Sequence, residues 1–179
     1  MKRILPVLTG IILAGIILAA APTSSLNGKW IFDKDKSTNL APWRYRVPQL
    51  DISISGDHAT ILRQWIDRKR IAFTDSATFV IGGAPTEIPV ESPIWSGNWY
   101  MGVLSKEHSE QSVSGDWIES PIALKTVSRE TVEVSQGEAQ ITTTSEYRLS
   151  SDGNILTITE HRSSRPTPVV LVFTRMETN

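Results

Sequence analysis

Chemistry needs either a titratable group held beside a partner or a ring held beside a ligand, and this sequence offers the second more readily. Its three histidines, His58, His108 and His161, are far apart. A zinc site needs ligands converging at about 2 Å, and helical sites show H-x-x-x-H spacing; neither pattern is present. Glu107-His108 and Glu160-His161 are adjacent pairs, which on a strand point to opposite faces and read as solvated polar residues. There is no G-x-S-x-G, no S-x-x-K with partners and no phosphate-cradling glycine loop. Gly82-Gly83 runs into Ala84-Pro85 and reads as a turn. Carboxylates are plentiful, yet no pair stands out in the apolar setting that raises a pKa; Glu119 beside Trp117 comes nearest. The absence of cysteine excludes disulfides, thiolate metal sites, cysteine nucleophiles and a lipid-modified cysteine at an export junction. The expectation is no catalytic residue, no metal and no cofactor.

The rings are another matter. Six tryptophans are generous for a chain of 179 residues. Residues 92–102 read SPIWSGNWYMG, which places Trp95, Trp99 and Tyr100 in one turn-rich segment. Trp43, in a Pro-containing loop, and Trp117 are expected beside them, outside regular alternation, whereas Trp65 reads as core. Three readings of the cluster stay open. It caps the fold, since large rings shield apolar surface whatever the function; it lines a ligand mouth, where aromatic walls with a few polar groups are the usual design; or it forms a patch for a partner, in which Tyr and Trp are favoured.

The elements that must position these rings read as strands throughout. Lys29–Asp33 is a short first strand, and Leu50–Ser55 alternates apolar and polar with the period of a half-buried strand. Thr60–Ile66 is compatible with a helical face, but it is short and its neighbours are strands. Ile71–Ile81 ends at Gly82-Gly83, and Ser105–Gly115 is polar without periodicity. Strands then resume at Ile122–Val127, Thr131–Ser135, Ala139–Leu149, Asn154–His161 and Val169–Arg175. Turns are expected at Asp67–Arg70, Ser128-Arg129-Glu130, Gln136-Gly137-Glu138, Ser151-Asp152-Gly153 and Ser163–Pro168, the Asp-Gly being a good hairpin signal. Short strands at this spacing predict a single all-β domain, a sandwich or an up-and-down barrel.

Before them, MKRILPVLTGIILAGIILAAA has a basic start, an apolar run and small residues, the layout of a secretory signal. Pro22 follows the small-residue triplet, a poor context for cleavage, and the apolar run Ile4–Ala21 is 18 residues, at the edge of a bilayer span. Residues 1–21 are therefore a cleaved signal or an uncleaved membrane anchor, 22–26 a linker and 27–177 the domain. Either way the domain is expected to be exported, periplasmic or extracellular. About 158 residues then remain, enough to bury roughly 70 % of the unfolded surface without disulfides. Without Lys2 and Arg3 the 18 basic residues fall to 16 against 19 acidic, a net charge of −3. A mildly acidic domain whose one dense basic run, Asp67-Arg68-Lys69-Arg70, reads as a solvated turn is a poor nucleic-acid binder.

Two ends of the domain resemble the lipocalin (calycin) family. Gly28-Lys29-Trp30 opens the first strand, and Leu171-Val172-Phe173-Thr174-Arg175 closes the last. The longer runs GKWIFDKDKS and YRLSSDGNILTITEHRSS with PVVLVFTR also resemble bacterial exported lipocalin-like proteins of unassigned function. The resemblance covers roughly the first 15 and last 35 residues of the domain, while Ser92–Trp117 has no counterpart and reads as an insertion. It implies an antiparallel up-and-down barrel of about 8–10 strands with a cavity open at one end. It also implies a closure in which Arg175 packs across Trp30 beside Gly28, and it supplies no ligand.

Together these readings predict an exported, non-catalytic protein that binds or carries a small apolar or amphipathic molecule. Trp95, Trp99 and Tyr100 would stack on it, with Trp43 and Trp117 as neighbours. No nucleic-acid partner is expected, and membrane contact is expected only through an N-terminal anchor. The alternatives are a cell-envelope interaction module using the same loop on a protein partner, or a cofactor-free isomerase or cyclase. The last requires a carboxylate or histidine buried in the cavity.

Overall fold

A computed structural model describes residues 25–38, 47–67, 70–90, 104–106, 109–134 and 136–176. These residues form strands β1 (Gly28–Phe32), β2 (Val47–Ser55), β3 (His58–Asp67), β4 (Arg70–Val80), β5 (Thr86–Pro89), β6 (Leu104–Ser105), β7 (Glu110–Glu119), β8 (Ala123–Val134), β9 (Gly137–Leu149), β10 (Ile155–Arg162) and β11 (Val169–Arg175). All lie in one sheet of order β4-β3-β2-β1-β11-β10-β9-β8-β7-β5, with the short β6 on β8. Every neighbouring pair is antiparallel, including β1 with β11, where Trp30 faces Arg175 and Phe32 faces Phe173. The result is all-β, a nearly closed ten-strand barrel.

Closure is completed where β4 approaches β7. The Gly82 amide donates to the Gly115 carbonyl at 2.7 Å, and Ile81 bridges Gly115 in parallel. Gly115 is what allows the approach: a Cβ there would collide with the Phe79 ring of β4. The hairpins obey turn chemistry. Between β9 and β10, Gly153 sits at φ 75°, which an L side chain rarely adopts, and the Asp152 carboxylate accepts from the Ser150 hydroxyl and the Asn154 amide.

Thr60–Ile66, with its helix-compatible face, is indeed strand. Two expectations need correction. Ser128-Arg129-Glu130 is not a turn but the middle of β8, where Ser128 pairs with Thr143 and Glu130 with Ile141. Its residues are polar but include no Gly, Pro or Asn to break the chain, and the long ladder to β9 overrides their weak β-propensity. The unpatterned stretch through Gly115 carries strand β7 from Glu110 onward. Its inward positions, Gln111, Val113, Gly115 and Trp117, mix polar, small and aromatic residues, so no hydrophobic alternation shows.

The strand period of two puts alternate residues inside, and the interior is sided. Around Trp30 it is apolar: Leu26, Ile52, Ala59, Phe79, Leu124, Leu156 and Phe173 are all buried, and Phe32 meets Phe173 edge to face at 5.5 Å. Farther along β8, β9 and β10 the buried side chains include the polar Thr126, Glu130, Thr143, Ser145, Glu160 and Arg162.

Candidate functional site

The closed end is held by Arg175. Its guanidinium lies over the Trp30 ring at 4.2 Å and donates from Nε to the Gly153 carbonyl at 2.7 Å, from Nη1 to that of Asn27 at 2.6 Å and from Nη2 to that of Ser25 at 2.8 Å. The Trp30 indole donates to the Leu26 carbonyl at 3.1 Å. Gly28, at φ 134°, is required by the same contact: a Cβ would stand 2.7 Å from Arg175 Nη1. Three carbonyls and one indole face thus share a single planar cation, the geometry for which Arg is suited and Lys is not.

Of the aromatics expected at a ligand mouth, Trp43, Trp95, Trp99 and Tyr100 lie outside the described residues, and only Trp117 can be placed. It is not outside the regular alternation. It sits in β7 opposite Leu124, half-buried and packed on the core. It lines a pocket of about 190 Å³ with Leu26, Asn27, Ile54 and Pro121, at the Trp30 end.

The other cavity was not anticipated. It lies in the barrel interior, lined on β7 by Gln111 and Val113, which stand four to six residues from Trp117, about 13–20 Å along the strand. Ile61, Ala77, Phe79 and Val113 form its apolar floor; Arg63, Asp75, Gln111, Glu130 and Tyr147 form its polar walls, with the hydroxyls of Thr126, Ser128, Thr143 and Ser145. Space for water centres inside is about 40 Å³, and one water needs about 10–15 Å³ on that measure. The cavity therefore takes on the order of three waters or a small molecule, well below the usual drug-sized site.

Its charged groups, Arg63, Asp75 and Glu130, come from three strands, and hydrogen bonds and ion pairs extend them to β9 and β10. On β3, Arg63 donates to the Tyr147 hydroxyl of β9 at 2.8 Å and approaches the Glu160 carboxylate of β10 at 4.0 Å. Glu160 in turn accepts from Arg162 at 3.1 Å. Asp75 of β4 stands opposite Arg63 across the strand pair. Burial draws the Arg63 guanidinium down, but Tyr147, Glu160 and Asp75 outweigh it and hold its pKa above the usual value. Arg162 is drawn below the usual value by burial, with Glu160 opposing.

Glu130 of β8 completes the ring. It is only 8 % exposed, faces the cavity, and its carboxyl makes no hydrogen bond or ion pair to any described residue. Burial, aided by the Asp75 charge and against the pull of Arg63 and Arg162, pushes its pKa up to about 8. At neutral pH it is therefore mostly an uncharged acid, able to donate one hydrogen bond into the cavity.

Glu160, read from the sequence as solvated, is thus 2 % exposed and ion-paired, while its neighbour His161 is exposed. The signal was present, since Leu156, Ile158, Glu160 and Arg162 occupy alternate positions of one strand. Glu119, the sequence's nearest approach to a buried carboxyl, is exposed, as is His58, whose ring meets Asp57 at 2.7 Å. Among the described residues no cluster of three or more His, Cys, Asp or Glu could hold a metal.

No protein-family model matches the sequence, and no curated protein matches it. Among solved structures it is similar to secretory abundant heat soluble protein 4 from Ramazzottius varieornatus, at 13 % identity and a TM-score of 0.49, over 86 % of this chain and 96 % of that one.

Proposed function

We propose that this is an exported lipocalin-like protein that binds or carries a small amphipathic molecule inside its barrel, without covalent chemistry. The observation that carries the reading is the cavity, with an apolar floor of Ile61, Ala77, Phe79 and Val113 beneath polar walls. An apolar group would displace water from the floor at no polar cost, and the walls would orient a polar head. Export rests on the composition of residues 1–21, and Trp95, Trp99 and Tyr100, outside the described residues, are proposed to stack on the ligand. The test is a native mass spectrum of the protein purified through its own export route. A bound mass lost on denaturation supports the reading. A bare protein mass, together with unchanged interior amide shifts on adding envelope lipid and metabolite extracts, would sink it.

Glu130 favours a second reading, a cofactor-free isomerase or cyclase. A buried carboxyl with a pKa near neutrality is suited to giving and taking a proton. In that case the co-purified molecule would exchange a carbon-bound hydrogen for deuterium in heavy water, and the Glu130→Gln variant would abolish the exchange.

A further inference from the structure

Resting on the carrier reading, the geometry points to a more definite ligand. We infer that the cavity takes a small organic cation, an alkylammonium, whose tail lies on Phe79 and Val113 and whose charged head sits between Glu130 and Asp75.

Titratable groups surround Glu130 from several strands. Asp75 of β4, Arg63 of β3 and Tyr147 of β9 line the cavity with it, the Glu160–Arg162 pair of β10 meets Arg63 beyond the lining, and among the described residues of the lining β7 adds the uncharged Gln111 and apolar Val113. Arg63 is engaged by Tyr147 and Glu160, and Arg162 by Glu160. On the Glu130–Asp75 side, two acids share one cavity, and one of them has no bonding partner among the described residues. A buried ionised carboxylate is costly unless a cation or several donors meet it. Without a bound cation the protein meets this condition by holding the proton on Glu130. A ligand bearing its own positive charge replaces that proton, forms a charge-assisted hydrogen bond with each acid, and leaves the local charge unchanged. An anionic head would instead face Asp75 with only engaged arginines to receive it. A neutral alcohol would gain one hydrogen bond and no ion pair. The room for about three waters suits a short chain.

Binding of this kind releases the Glu130 proton, so affinity must rise with pH until Glu130 is ionised in the free protein. Below about 8 the apparent Kd tightens by about tenfold per pH unit, and above it the Kd is flat. The experiment is a titration of the full chain with n-butylammonium chloride, sodium butyrate and 1-butanol at pH 6, 7, 8 and 9. It is followed by amide shifts of Val113, Thr126 and Ser145 and repeated with the Glu130→Gln and Asp75→Asn variants. The expected result is saturable binding of butylammonium alone, at least thirtyfold tighter at pH 9 than at pH 6. In Glu130→Gln the affinity should fall and lose its pH dependence. Asp75→Asn, which leaves Glu130 in place, should weaken binding and retain a pH dependence. Equal or tighter binding of butanol or butyrate, or a pH-independent Kd for butylammonium, overturns the cation inference and leaves the carrier reading standing. Failure of all three probes to shift the interior amides at any pH overturns both.

Discussion

Replacing Glu130 by Gln removes one ionisable group from the interior and leaves its shape nearly unchanged, which makes its effect on stability calculable. In the unfolded chain the carboxyl ionises near its ordinary value of 4.5, and in the folded protein at about 8. Below 4.5 the group is protonated in both states and costs nothing. Between these limits the native state binds more protons than the unfolded one, so stability falls as pH rises; above about 8 both states are ionised and the loss is complete. At about 1.36 kcal/mol per pH unit the interval is worth about 5 kcal/mol. Water drawn in beside the new charge reduces the observable loss to about 3–5 kcal/mol, still a large share of the 5–15 kcal/mol typical of a domain. Urea unfolding followed by tryptophan fluorescence at pH 5, 7 and 9, on the native chain and on Glu130→Gln, measures this directly. The variant should gain on the native protein by about 3 kcal/mol or more between pH 5 and pH 9. A difference that stays constant within about 0.5 kcal/mol across that range would refute the assignment of Glu130 as a buried, uncompensated acid.

Three further outcomes follow from the packing. Arg175→Lys keeps the charge but cannot reach the carbonyls of Gly153, Asn27 and Ser25 together, so it should cost about 2–3 kcal/mol in urea unfolding. Gly115→Ala drives a methyl into the Phe79 ring and should cost about 1–3 kcal/mol; combining it with Phe79→Leu should cost clearly less than the sum of the two. Tyr147→Phe deprives Arg63 of an acceptor held at 2.8 Å and should cost about 1–2 kcal/mol, with little change in the denaturant slope.

Much of the frame was legible because it is written locally. An Asp-Gly between alternating runs specifies the β9–β10 hairpin, and β2 declares itself through Leu50, Ile52 and Ile54. The Gly28, Trp30 and Arg175 constellation could be located by resemblance, although its three carbonyl acceptors could not. The interior site was illegible for a physical reason. Arg63, Asp75, Glu130, Tyr147 and Glu160 come from five strands, and no spacing along the chain links them. Their convergence depends on register, and register depends on pairings such as Arg63 with Asp75 and Glu160 with Ser145. Polar residues in strands ordinarily face solvent, so the sequence alone hides Glu160 and gives Glu130 the look of a turn residue. A charged residue at an inward position of a confident strand is a better pointer to a cavity than any motif in this sequence.

The pairing of β1 with β11 has a consequence for how the molecule comes into being. These strands are neighbours in space but stand at opposite ends of the domain, Trp30 facing Arg175. A chain emerging in order can zip its successive hairpins one after another, but the cylinder has no seam until the strand from Val169 to Arg175 is free to reach back. Such long-range pairing is slow, on the ms–s scale for β-barrels of this kind. Until then β3 and β4 are not joined through β1 and β11 to β7, β8 and β9, the strands that together line the cavity. The interior cavity and its shifted acid therefore depend on a pairing between the two ends of the chain that is expected to form late.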